Sequence, residues 1–352
     1  MDGWFYTTHI LYYSIITTYY ITRTSPAILH DHQPPTNQTN QVLLNKRPPI
    51  SYNPTIINMT TPNTTMNFIS INKLTNTRVL LIGGTSGIGF AVARAALEHG
   101  ASIILSSSRP EKVQSAISRL QQLYPDPSFT SRITGKAYDL SDQSTLETTI
   151  ISLLDYATSP SIFPTTNTTI TTEGDKKILL NHIIYTSGSR PSRIPISPGT
   201  TTLTPQLYTQ SETLRVLAPL MLGKHAKSYM VDEHTSSMTF TSGVLASKPV
   251  PGTTLGAMAG SALGGLVRGL AVELAPIRAN VVAPGAVETE IFDELGVQEK
   301  EAVKEMFRRG TVLGRVAEAG DVAEAYVWCM KDGFVSGEWV GSDGGALLKS
   351  AM

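Results

Sequence analysis

From Val79 onward, apolar positions fall into two alternating patterns. Val79-Leu80-Leu81-Ile82 is a short continuous apolar run, which reads as a strand buried on both faces. A glycine-rich turn follows. The segment Phe90 to His99 then carries apolar residues at helical spacing, and Gly100 stands as its stop. A second apolar run, Ala101 to Ser106, predicts the next strand. Helical spacing returns over Leu146–Tyr156, Glu212–Met230 and Val322–Met330. Strands alternating with helices predict a doubly wound α/β fold: a parallel sheet of about seven strands with helices on both faces.

The turn between the first strand and helix reads Gly83-Gly84-Thr85-Ser86-Gly87-Ile88-Gly89. In this strand–glycine–helix context Gly83 permits a tight turn. Gly87 admits a pyrophosphate close to the backbone, and Gly89 lets the helix pack on the strand. The free N–H groups at the helix start, with Thr85, Ser86 and Ile88, face the phosphates. No Gly-Lys-Ser/Thr ending is present, which argues against a nucleoside-triphosphate loop. An NAD site would place an acid about 20 residues after the glycines. Here Ser106-Ser107-Ser108-Arg109 stands there, and Ser108 with Arg109 suits a ribose 2′-phosphate. The expected cofactor is therefore NADP.

With these motifs the chain resembles the short-chain dehydrogenase/reductase family, over roughly Asn76 to Leu348. Tyr138-Asp139-Leu140 matches the family's Asp-Leu, so the resemblance assigns Asp139 and Leu140 to the adenine. His182 to Gly188 stands at strand four, where only Gly188 matches the cofactor motif. Met238 to Gly243 is similar to strand five ending at the catalytic serine, here Ser242. Pro284-Gly285-Ala286-Val287-Glu288-Thr289 resembles the turn that closes over the nicotinamide, which implicates Pro284, Gly285, Val287 and Thr289. Lys224 sits where many members carry a basic residue near the cofactor, or is a solvated lysine. Gly314-Arg315-Val316 with Asp321-Val322-Ala323, then Ser336-Gly337 and Asp343-Gly344-Gly345, match C-terminal signatures of the family.

The departures bear on chemistry. Counting back from Glu273-Leu274-Ala275 puts Gly256 at the family's tyrosine and Gly260 at its lysine, and Arg215 falls near its asparagine. Only Ser242 remains of the catalytic group. The resemblance is to a branch, found in fungi and bacteria, that lacks the Tyr/Lys pair and in fungi often serves secondary metabolism. Losing the acid costs about 10²–10⁴ in rate, while orientation alone supplies roughly 7–11 kcal/mol. Lys248 and Tyr208 are candidate substitute donors, each otherwise a solvated charge or a packing residue. Ser242 is otherwise a strand-end hydroxyl bonded to the backbone. The leading function is an NADP-dependent oxidoreductase acting on a carbonyl or alcohol of a small molecule. The alternative is a catalytically silent NADP-binding relative acting as sensor, scaffold or oligomer partner. Gly256, Gly260 and Gly264 share one helical face, either widening a pocket or admitting a close neighbour.

Composition narrows the picture further. Lys+Arg and Asp+Glu are 28 each, and no basic stripe is present, so nucleic-acid binding is not expected. The single cysteine, Cys329, excludes an internal disulfide, fits the cytoplasm and reads as a core residue. No Cys/His cluster has metal-ligand spacing. Residues 1–72 differ in kind from the rest, which (73–352) forms one dinucleotide-binding domain. Trp4 to Thr22 lacks charge but is polar for a membrane span, and residues 31–66 are rich in Asn, Thr and Pro. An unstructured or untranslated extension, with synthesis from Met59 or Met66, is expected there ahead of an anchor or a targeting segment. Ser159–Gly174 and Arg190–Pro205 read as long surface loops. No membrane partner is expected, and a homo-oligomer is.

Overall fold

The computed structural model describes residues 69–163, 177–188, 193–197, 199–200, 202–290, 293 and 296–349. The expectations for Trp4–Thr22, for residues 31–66 and for most of the Thr-rich loop therefore lie outside the described residues. Seven parallel strands form the main sheet: β1 (Arg78–Ile82), β2 (Ser102–Ser106), β3 (Ile133–Gly135), β4 (His182–Tyr185), β5 (Ser237–Thr241), β6 (Arg278–Pro284) and β9 (Trp339–Ser342). Their order is β3-β2-β1-β4-β5-β6-β9, the doubly wound arrangement expected. Two short strands, β7 (Val287–Glu288) and β8 (Ala317–Glu318), pair beside it.

Alternate residues of each central strand enter opposite layers. Leu80, Ile82 and Ile183 join one core with helices α3 (Leu146–Thr158), α5 (Ala218–His225) and α6 (Thr254–Glu273). Val79, Leu81 and Ile184 join the other, with α1 (Gly87–Glu98), α2 (Pro110–Leu123) and α8 (Ala319–Lys331). Each such side chain, fully buried, contributes about 1.5–3 kcal/mol. Cys329 lies wholly buried in the second core, where burial pushes its thiol up to about 12. Helix α7 (Val297–Arg309) packs outside these layers and buries no residue fully.

The helix expected over Glu212–Met230 is broken. It begins earlier as α4 (Pro205–Glu212), widens to a π turn at Thr213–Leu217, and resumes as α5. Pro219 explains what the π turn frees. The Ala218 N–H donates to the Thr213 carbonyl. The next donor in that register would be Pro219, which has no N–H. The Leu214 carbonyl accepts from the Tyr185 hydroxyl instead.

Helix α6 is long and apolar enough to cross a membrane by composition. It packs against β6 through buried Leu263, Val267 and Leu270, as a helix of the sheet layer does. At the amino edge of β6, Arg278 is buried with its guanidinium donating to the carbonyls of His234, Cys329, Met330 and Val335.

Candidate dinucleotide site

The register aligns the carboxyl ends of the strands. Ile82 lies opposite Ser106 and Tyr185, Thr241 opposite Val282, and Pro284 opposite Ser342. The strand order reverses direction between β1 and β4, which makes the crevice between their carboxyl ends the place for a ligand. Gly83, Thr186 and the first turn of α1 meet there.

That meeting requires the glycines. Gly83 adopts a φ of +87°, and a Cβ on it would lie 2.6 Å from the Ser187 nitrogen. A Cβ on Gly89 would come within 2.2 Å of the Gly83 carbonyl oxygen and 2.4 Å of Thr186 Oγ1. Gly87 has a φ of +49°, and Thr289 packs over it, 3.0 Å from where a Cβ would stand. The glycine turn, the β4 end and the segment after Pro284-Gly285 thus close on one another. Gly285 is equally constrained, since a Cβ would lie 2.8 Å from Asp343 Cα.

Around this cradle the remaining residues take separate places. Thr85 and Val287 are buried, whereas Ser86 and Gly188 are exposed, and Ile88 is half-buried. Ser108 and Arg109 follow β2 at the start of α2, next to the glycine turn through the β1–β2 pairing. Arg109 is exposed beside Glu111 at 3.6 Å. Asp139 is exposed and accepts the Ser141 N–H, while Leu140 is buried in the core.

Lys224 is not brought into this group. It pairs with Glu147 on α3, 2.5 Å away, and His225 shares the same carboxylate oxygen at 2.9 Å. The structure gives it a partner between helices rather than a place at the glycine turn.

Ser242 follows β5 at the carboxyl edge. Its hydroxyl donates to the Gly260 carbonyl at 3.0 Å, a strand-end bond to the backbone. A Cβ on Gly260 would lie 2.9 Å from Ser242 Oγ and 3.0 Å from Ala246 Cβ. One on Gly264 would lie 3.1 Å from Trp339 Cε3. At these two positions the glycine stripe admits close neighbours rather than opening space.

Of the two candidate substitute donors, Lys248 is already engaged. Lys248 Nζ donates to the carbonyls of Ala346, at 2.7 Å, and Lys349, at 2.5 Å, and so straps the C-terminal segment. Tyr208 on α4 is exposed and lines a groove of about 250 Å³ with Glu212, Leu220 and, from α6, Met258 and Ala262. Arg215 sits in the π turn, half-buried. Burial lowers its guanidinium below the ordinary value, while Glu212 and Tyr185 act the other way.

Three site residues escaped sequence reasoning. Thr186 presses its hydroxyl on Gly83 and Gly89. Glu290 accepts the Gly87 N–H at 2.8 Å, and Arg119 on α2 lies 3.8 Å from that carboxylate. Only the position of Glu290, next to Thr289 in the closing segment, carried a signal.

Fold, glycine cradle and switch point define a protein of the dinucleotide-binding Rossmann class. The chain belongs to the short-chain dehydrogenase/reductase family: a family model described as an SDR-like Rossmann domain matches residues 70–349. It is 35% identical over 280 residues to the short-chain dehydrogenase/reductase malC of Malbranchea aurantiaca, covering 80% of this chain and 98% of that one. It is 35% identical over 274 residues to the short-chain dehydrogenase/reductase ATR9 of Stachybotrys chlorohalonatus, covering 77% and 97%. The solved structure described as the MalC reductase/Diels-Alderase of Malbranchea aurantiaca superposes with a TM-score of 0.68 at 34% identity, over 80% of this chain and 99% of that one. A short-chain dehydrogenase from Burkholderia cenocepacia, solved in complex with NADP, shares the fold at 22% identity, TM-score 0.62, over 78% and 100%.

Proposed function

We propose that this chain is an NADP-dependent oxidoreductase acting on a carbonyl or alcohol of a small molecule, in secondary metabolism. The cradle of Gly83, Gly87 and Gly89 at the sheet's switch point carries this reading. The N–H groups of the first turn of α1 suit a pyrophosphate. Arg109 and Ser108, with no acid at the end of β2, suit a 2′-phosphate. NADPH, when bound, supplies a hydride. The chain's task is to hold the acceptor carbon against it and to exclude water.

Ser242 is the residue nearest this chemistry by motif position. A rotation about its χ1 would move its proton from the Gly260 carbonyl to a substrate oxygen. The test is oxidation of NADPH by the purified chain in the presence of small ketones, aldehydes and their conjugated relatives. Turnover that needs a substrate supports the oxidoreductase. Binding of NADPH without any turnover supports the silent alternative.

A second reading has one specific observation behind it. Ser242 and Lys248 each donate to backbone carbonyls, so neither side chain stands ready to give a proton. The MalC protein is described as both reductase and Diels-Alderase, and a cycloaddition moves no proton. A pocket that orients a substrate for ring closure, with or without hydride transfer, fits that lack.

Self-association belongs to the same proposal. Met258, Ala262, Gly265 and Val272 are exposed along α6, beside Leu220 of α5. A second copy covering this apolar stripe would form a homo-oligomer.

A further inference from the structure

We propose that Arg119 is a cofactor-phosphate-binding cation, and that Glu290 holds the phosphate site as an internal anion that NADP must displace. This rests on the NADP reading of the glycine cradle.

Helix α1 begins without the usual devices for its free N–H groups. Its first turn contains no acid, and its N-cap residue Ser86 makes no side-chain cap bond. A side chain from 203 positions away does that work instead: Glu290 Oε2 accepts the Gly87 N–H at 2.8 Å. The other oxygen, Oε1, lies 3.8 Å from Arg119 Nη1. One carboxylate thus bridges a helix N-terminus and a guanidinium, both of which seek an anion. A phosphoryl group is the anion the cradle is shaped for, and the carboxylate stands where its oxygens would bind.

The two cannot stay together. A pyrophosphate brought against the Gly87 N–H meets the negative charge of Glu290, and like charges at contact repel. Glu290 is half-exposed, so its side chain can turn into solvent. Arg119 stays behind. Its guanidinium lies 4.0 Å from the centroid of the Phe90 ring, on the same first turn of α1, and that contact does not involve Glu290. Arg119 is therefore already in place for the incoming phosphate. Cofactor affinity is accordingly lower than the cradle alone would give, by the free energy of expelling Glu290.

The experiment measures the affinity of the full chain for NADPH and for adenosine 2′-monophosphate, which has the adenine end but no pyrophosphate. Glu290→Gln keeps the size of the side chain and removes its charge. It is expected to tighten NADPH about threefold to tenfold and to leave 2′-AMP unchanged. Arg119→Gln is expected to weaken NADPH about tenfold, with Arg119→Lys in between. Unchanged or weaker NADPH binding by Glu290→Gln overturns the displacement, as does equal tightening of 2′-AMP. Unchanged NADPH binding by Arg119→Gln overturns the role of Arg119. A wild-type chain that binds no NADPH overturns the cofactor reading itself, and with it this proposal.

Discussion

The Ser242 hydroxyl donates to the carbonyl of Gly260 at 3.0 Å, so the strand-end serine closes on the helix position that the motif register assigns to lysine. The helix approaches there only because residue 260 has no side chain. Serine and glycine thus form one structural unit.

Restoring the family pair should fail. In Gly256→Tyr/Gly260→Lys, the new Cβ at 260 would lie 2.9 Å from Ser242 Oγ and 3.0 Å from Ala246 Cβ. Overpacking of this kind costs about 1–3 kcal/mol. The double variant is expected to melt lower and to gain no turnover. A tenfold gain in NADPH turnover would show that the site has only lost its acid.

Two single glycine substitutions separate crowding from helix propensity. Gly260→Ala is expected to destabilise the fold, by the contacts just given. Gly320→Ala, in the first turn of α8 with open space around it, is expected to stabilise it by up to about 1 kcal/mol. Urea unfolding of both variants measures this. The reverse order of stabilities would contradict the geometry.

Ser242→Ala tests the serine directly. The lost hydrogen bond should cost about 1 kcal/mol of stability. Turnover is expected to fall at least about tenfold, with NADPH affinity unchanged, because the cofactor contacts proposed above lie in the glycine cradle and its neighbours. Undiminished turnover would leave Ser242 with its backbone role alone.

Acid sensitivity should trace to His182. It is fully buried, and its pKa is pushed down to about 3, first by burial and then by Arg278. In the unfolded chain a histidine titrates near 6.5. Below that pH the unfolded chain takes up a proton that the fold refuses. The stability from this group is therefore whole above pH 6.5 and lost as pH falls toward 3. Between pH 7 and pH 5 the loss is about 2 kcal/mol. His182→Asn should lose less stability over that interval in urea unfolding. An identical loss in both proteins would rule His182 out.

Much of this was legible in the chain. The runs Val79–Ile82 and Ala101–Ser106 are buried on both faces, so continuous hydrophobicity marked them as inner strands of a parallel sheet. The glycine turn was legible because its three constrained positions serve one purpose. What escaped depends on contacts between distant segments. The π turn at Thr213–Leu217 follows from Pro219 together with the Tyr185 hydroxyl, one strand away. The engagement of Lys224 by Glu147, and of Lys248 by the C-terminal carbonyls, has no periodic signature. A motif position tells which residue stands near a site, not which partner its charge has already found.

The cradle and Arg109 are expected to bind NADP. The measurement is a paired titration of NADPH and NADH against the wild type and Arg109→Ala. Among the described residues Arg109 pairs with the exposed Glu111 at 3.6 Å, a pairing weak enough to yield to a phosphate. The wild type is expected to prefer NADPH by roughly tenfold to a hundredfold, and Arg109→Ala to lose most of that preference through weaker NADPH binding alone. Equal affinity of the wild type for the two cofactors would contradict this role of Arg109.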